Sequence, residues 1–249
     1  MGTAGAVPLP EDQGGQSFVS RLIGVFLSPD ETFNDIVRKP DFLAPLVLSI
    51  LAAVAVTETM LSKIGIDRII RNQIAQSSRG ASMTPDQIDQ AVAQGAKIGG
   101  VITHVAGVIG VPIVVLIIAA IGLGIVSAVF GSKTSFGTAF SITCYANLVS
   151  VLGAVIAVVM ILFGDPEHFN PQSPVPTNLG FFIDPTHTSK PLVALAGSID
   201  LFTFWFMGLL GIGFSAATRK QAKPVSDFLC FFGLWAVLVL AKVGWATMG

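Results

Sequence analysis

Among the ionisable side chains inside long apolar stretches of this 249-residue chain, four are candidates for one polar cluster: Glu58, His104, Asp200 and Lys242. A charge in lipid costs roughly 2.5–3.5 kcal/mol on insertion scales, so such residues indicate a function until shown otherwise. We expect Lys242 to pair with Asp200 or Glu58, and His104 to accept a proton nearby. A polar cluster of this kind is typical of a solute or ion carrier. The alternative is that these side chains extend to the interface, as lysine does readily, and only Asp200 is deep enough to oppose it.

Other reaction chemistry has no pattern in the sequence. Cys144 and Cys230 lie far apart in apolar runs, without the spacing of a disulfide framework or a zinc site. The loop 164–190 carries carboxylates and histidines, but at no recognised metal-ligand spacing. No GxSxG or HExxH element occurs. We therefore expect a protein that is not an enzyme, with no catalytic residues, no cofactor and no metal.

Five apolar runs are near or above the roughly 20 residues that cross a bilayer as a helix. Charged residues make up 12% of the chain, against about 25% in soluble domains, and the runs hold only four of them, namely Glu58, Asp200, Asp227 and Lys242. The fold class is therefore predicted as all-α and polytopic, with the lipid bilayer as a partner. The net charge of −1 excludes a broad nucleic-acid surface. The predicted spans are 42–61, 100–130, 136–163, 192–218 and 225–247.

Charges in the loops predict the orientation. Arg219, Lys220 and Lys223 crowd the loop between the fourth and fifth runs, whereas the loop 164–190 is mostly acidic. The positive-inside rule then places the N-terminus and the basic loops in the cytoplasm. The loop 62–97 opposes this orientation, since it has five basic residues on the outer side.

That outer loop is predicted to be a helical hairpin with a break near 77–82. The residues Thr84-Pro85-Asp86-Gln87 form a capping-box pattern with proline at the first helical position. One continuous helix from Pro85 through the second run is an interpretation that this pattern allows.

Two amphipathic segments precede the first run. Residues 1–16 are polar and rich in Gly and Pro, which indicates a disordered tail. In 17–39, one helix has its apolar face at i, i+4, i+7 and i+8, and Ser28-Pro29-Asp30-Glu31 is a capping-box pattern that starts a second helix. These helices either lie on the membrane surface or pack against the cytoplasmic ends of the bundle. The candidate interaction face is Phe18, Leu22, Phe26 and Phe33.

A family resemblance rests mainly on residues 17–46. Its motif runs RLIGVF at 21–26, Ser28-Pro29, Thr32-Phe33, Ile36, Pro40 and FLAPL at 42–46. This layout resembles the bacterial branch of the Yip (Ypt/Rab-interacting protein) membrane domain family, over about 17–247. The resemblance implies a five-helix integral membrane protein of a bacterial inner membrane, with a cytoplasmic N-terminus. Eukaryotic relatives bind small GTPases and act in vesicle traffic, and no catalytic residue belongs to the family pattern.

The expected function is therefore a non-enzymatic membrane scaffold or interaction protein that binds its partner or the membrane through 17–39. The runner-up is a small transporter or channel component that uses Glu58, Asp200 and Lys242. Rows of small residues, such as Ala120, Gly124 and Ala128, favour close helix packing within the bundle. A homo-oligomer interface or a membrane protein partner is the other use of such rows.

Overall fold

The computed structural model describes residues 15–77, 80–164, 175–185, 187–219 and 221–248, so nearly all of the predicted disordered tail lies outside the described residues. Within these ranges the chain is all-helical, apart from one isolated β bridge between Asn178 and Asp200. Short 3-10 turns occupy Gly80–Ser82 and Leu179–Phe182. The α helices are α1 Phe18–Leu27, α2 Pro29–Arg38, α3 Leu43–Lys63, α4 Ile66–Gln76, α5 Pro85–Phe130, α6 Phe136–Ala146, α7 Leu148–Phe163, α8 Lys190–Ala196, α9 Leu201–Ala217 and α10 Pro224–Met248.

Four stretches in the described chain are long and apolar enough to cross a membrane: α3, α5, α6 with α7, and α10. The all-α, polytopic prediction is confirmed at this level. Helix α9 is also apolar but has 17 residues, or about 26 Å at 1.5 Å per residue, less than the roughly 30 Å of hydrocarbon. The count of five spans and the orientation stay predictions.

The fourth predicted span, 192–218, is not one helix, and this part of the prediction was wrong. Helix α8 ends at Ala196 and α9 begins at Leu201. Asp200 is the N-cap of α9, where its Oδ1 accepts hydrogen bonds from the amides of Phe202 at 2.7 Å and Thr203 at 3.3 Å. An aspartate satisfies free first-turn amides well, so the chain begins a helix there instead of burying the carboxylate in mid-helix.

Helix α5 confirms the predicted continuous helix from Pro85. It has 46 residues, and both hydrogen bonds of the Thr84–Gln87 capping box are present. Its C-terminus is closed by Gly131 at φ 64°, a left-handed conformation that glycine adopts without strain. The N-terminal part of α5 packs against α4, which forms the predicted helical hairpin.

The core lies between α2, α6, α9 and their neighbours. Phe33 and Ile36 of α2 are completely buried, so the second interpretation of 17–39, packing against the bundle, is the observed one. Gly213 of α9 makes room for this, since an added Cβ there would lie 3.0 Å from Phe33 Cδ1 and would overlap Ile142.

The predicted Ser28 capping box does not form, because the Ser28 side chain makes no capping hydrogen bond. Its amide closes α1 on Gly24 O at 2.7 Å, and its carbonyl accepts the Thr32 hydroxyl at 2.9 Å. Ser28 thus ends α1 through its amide and begins α2 through its carbonyl. Proline still stands at the first position of α2.

One end of the bundle gathers the N-terminal helices and two loops. Val37 of α2 lines the same pocket as residues 131–135 and 217–219, and Asp30 and Asn34 line another with 222–224. We call this the hairpin end, after the α1–α2 helical hairpin. The other end carries the 3-10 turn Leu179–Phe182 and the start of α9.

Candidate functional site

Two of the four predicted polar-cluster residues meet across α3 and α5. His104 Nε2 lies 2.9 Å from Glu58 Oε1, and its Nδ1 lies 2.6 Å from Gly100 O. Both side chains are about half exposed. The pair is therefore a contact between α3 and α5 that is not enclosed.

The other two predicted residues make separate contacts. Lys242 Nζ donates to Ser198 Oγ at 3.2 Å. Asp200 accepts from its own helix amides and from the Thr177 hydroxyl at 3.3 Å. Among the described contacts, the predicted ion pair of Lys242 with Asp200 or Glu58 is absent, because the Asp200 carboxylate is committed to capping α9.

A buried ionic network that sequence reasoning missed lies at the hairpin end. Arg21 of α1 is only 3% exposed. Its guanidinium contacts Asp35 Oδ2 of α2 at 2.8 Å and Asp41 Oδ2 at 2.9 Å, and it donates to Lys39 O at 3.0 Å. The Tyr145 hydroxyl of α6 donates to the other oxygen of Asp41 at 2.6 Å. The network thus links α1, α2, the chain before α3, and α6.

Electrostatics keep this arginine charged. Burial by itself would lower the pKa of Arg21, but hydrogen bonding to Asp35 and Tyr145 and the charges of Asp41 and Asp35 raise it above its usual value. A buried cation is tolerable only with such partners. The arrangement therefore holds the helices in place.

The candidate interaction face is mostly turned inward. Leu22 and Phe26 pack against the core, with the Phe26 ring 5.7 Å from that of Trp205. Phe33 is completely buried, and Phe18 is exposed at the edge. These residues therefore dock α1 and α2 on the bundle.

The outward side of α1 is apolar as well. Val19, Ile23 and Leu27 lie at i, i+4 and i+8, and each is more than half exposed, Leu27 most of all at 77%. We call these three residues the α1 ridge. The signal was present in the sequence, since the apolar residues of 17–27 cover more than one helix face and Arg21 interrupts them.

Asp227 is an unusual buried group at the start of α10. It is completely buried, and neither carboxylate oxygen has a hydrogen-bond partner in the described chain. The sequence placed it at the inner end of the fifth run, but nothing there indicated burial. No group of three or more potential metal ligands occurs among the described residues.

Comparison with known proteins gives a family match over most of the chain. The family model of the Yip1 domain matches residues 23–246, which confirms the resemblance drawn from 17–46. The chain is also 26% identical over 230 residues to "Membrane protein YknW" of Bacillus subtilis (strain 168), a match that covers 90% of this chain and 92% of the relative. No solved structure matches the chain significantly.

Proposed function

Because this chain belongs to the Yip1 domain family, we propose that it is a membrane scaffold, which acts by binding a partner and not by catalysis. The α1 ridge is the proposed contact surface. The matched relative is named only as a membrane protein, and this name fits a binding role without specifying one. The observation that carries the proposal is that α1 is apolar on the face that points away from the bundle.

The ridge stands on a firmly held element. Arg21, two residues before Ile23 in the same helix, is tied to α2 and to the chain before α3. Phe33 and Ile36 anchor the other arm of the hairpin in the core. A surface that is rigid before binding loses less conformational entropy on association. The ridge is therefore suited to contact a partner of defined shape.

Charge near the ridge favours a protein partner over anionic lipid. Asp30 and Glu31, at the exposed start of α2, lie only a few residues after Leu27. Acidic side chains are repelled by the negative surface of lipid headgroups. We propose that the occupant is a membrane protein that offers an apolar patch bordered by basic residues.

Site-specific photo-crosslinking in cells tests the contact. A photoreactive residue at Ile23 is expected to give a discrete protein adduct. Phe182, 67% exposed at the opposite end, is the matched apolar control and is expected to give no such adduct. Adducts of Ile23 with lipid alone would overturn the proposal.

A variant with Val19, Ile23 and Leu27 changed to Ser completes the test. It is expected to lose co-purification of the partner that crosslinking identified, while it keeps the thermal stability of the wild type, because these side chains make little internal contact. The control variant changes Leu179 and Phe182 to Ser. Equal recovery of the partner with both variants would contradict the proposal.

The carrier hypothesis gains no support from this geometry. Glu58 and His104 contact each other, whereas Lys242 and Asp200 each have other partners. We therefore advance no second function.

A further inference from the structure

A polar pocket of about 450 Å³ opens at the hairpin end. This volume lies within the roughly 300–1,000 Å³ of small-molecule sites. Three parts of the chain form its walls: the α5–α6 loop, the chain after α9, and α2. The lining residues with charged or hydroxyl side chains include Ser132, Lys133, Thr134, Ser135, Thr138 and Arg219.

The lining is cationic and rich in donors. Lys133 comes from the α5–α6 loop and Arg219 from the α9–α10 loop, so two segments far apart in sequence bring positive charge to one pocket. No acidic residue is among the described residues that line it. In the described chain neither cation forms an ion pair. An anion in this pocket would meet both charges without a competing carboxylate.

Hydroxyl groups and a helix start add neutral donors. Ser132 and Thr134 contact each other at 2.9 Å, as do Ser135 and Thr138. Ser135 is the N-cap of α6, and its Oγ accepts from the Thr138 amide at 3.2 Å. The two amides before it, of Phe136 and Gly137, have no acceptor inside the helix and favour an anion. At the end of α5, the carbonyls of Ser127 and Val126 are already bonded, because they accept from Gly131 N and Ser132 N.

The Arg219 side of the pocket is built on a fixed turn. Thr218 is buried, and its hydroxyl donates to Ser215 O at 2.9 Å and accepts from Ala222 N at 3.2 Å. Arg219 follows at φ 53°, a conformation that is uncommon for residues other than glycine. The turn therefore fixes the backbone from which the Arg219 side chain extends.

We propose that this pocket binds a phosphate-bearing anion through Lys133 and Arg219. A guanidinium suits the forked geometry of phosphate oxygens, and an ammonium adds a point charge. The pocket lies where α5 ends and α6 begins, two stretches that are apolar enough to span a membrane. That position gives two sources of the same chemistry, namely the headgroup of an anionic phospholipid and a free phosphate compound. The ligand here is independent of the partner at the α1 ridge.

Native mass spectrometry and thermal unfolding of the full chain in mild detergent test the site. The probes are phosphatidylglycerol, with phosphatidylcholine as the zwitterionic comparison of zero net charge, and glycerol phosphate as the free compound. We expect the wild type to retain and be stabilised by phosphatidylglycerol, glycerol phosphate or both. Loss of each cation is expected to weaken binding by about tenfold or more.

The decisive variant combines Lys133→Gln and Arg219→Gln. The matched control combines Arg38→Gln and Lys63→Gln, which removes the same charge from exposed positions outside the pocket. Selective loss of phosphatidylglycerol by the pocket variant assigns a lipid headgroup, and selective loss of glycerol phosphate assigns a free ligand. Equal binding of every probe by the two variants, with both folded by circular dichroism, overturns the proposal, as does no binding by the wild type.

Discussion

The chain contains two ion pairs of the same length in different surroundings, and they predict different costs of disruption. Arg21–Asp35 and Arg71–Asp89 both measure 2.8 Å. The side chains of the first pair are 4% and 14% exposed, and those of the second are 52% and 63% exposed. Water screens the exposed pair, so removing it changes stability by about 0.2–1 kcal/mol. Loss of one partner from a buried pair costs about 3–5 kcal/mol.

The change Arg21→Met is therefore expected to release the α1–α2 hairpin. It leaves Asp35 with the Gln16 amide at 3.0 Å as its remaining described partner from outside α2. The cost of leaving Asp41 without Arg21 is smaller, because Asp41 is half exposed and keeps the hydrogen bond from the Tyr145 hydroxyl. For the cost of Arg21→Met we therefore take the lower end of the range for a buried pair, about 3 kcal/mol. This cost shifts the equilibrium between the docked and undocked α1–α2 hairpin by roughly a hundredfold.

Hydrogen–deuterium exchange of the purified protein in detergent measures this effect. Amides of α1 and α2 are expected to exchange about a hundred times faster in Arg21→Met than in the wild type. The control Arg71→Met is expected to leave them unchanged. Adding Asp35→Asn to Arg21→Met removes the unpaired carboxylate and is expected to restore part of the protection. Equal exchange in Arg21→Met and Arg71→Met would refute the reasoning that burial sets the cost.

Three further substitutions test the core packing, a buried carboxylate and a helix cap. Gly213→Ala places a methyl against Phe33 and is expected to lower the free energy of unfolding by about 1–3 kcal/mol, measured by thermal unfolding. Asp227→Asn removes a buried carboxylate without a described partner and is expected to raise stability by about 1–3 kcal/mol; a lower melting temperature would contradict this. Thr84→Ala breaks the capping box with Gln87 and is expected to cost about 1 kcal/mol, seen as faster exchange confined to the first turn of α5.

The long helices of this fold were predictable from the sequence wherever one strong pattern, a capping box or a long apolar run, dominated. The start of α5 at Pro85 followed from capping residues and the absence of charge over the next run. The membrane-competent helices α3, α5 and α10 followed from length and hydropathy. The interruption at Asp200 did not, because hydropathy averages over one carboxylate and does not register how well aspartate starts a helix.

The sites were less predictable, because they depend on which helices become neighbours. Glu58 and His104 lie on adjacent apolar runs joined by a helical hairpin, so their contact was foreseeable. The meeting of Arg21, Asp41 and Tyr145 spans more than a hundred residues and needs the docked hairpin. Likewise, Lys133 and Arg219 line one pocket only because the C-terminal ends of α5 and α9 lie beside the N-terminal end of α6. Local periodicity contains no such information.

Helix α5 joins two ends of the molecule in one continuous helix. Its 46 residues give a length of about 69 Å; its N-terminal part packs against α4 at Gly95 and Gly99, and it ends at Gly131, at the pocket. Pro112 removes one donor from the ladder of backbone hydrogen bonds, so the helix resists bending least at that position. A movement of the α4–α5 hairpin would therefore reach the pocket through a single helix, reduced by any bending at Pro112.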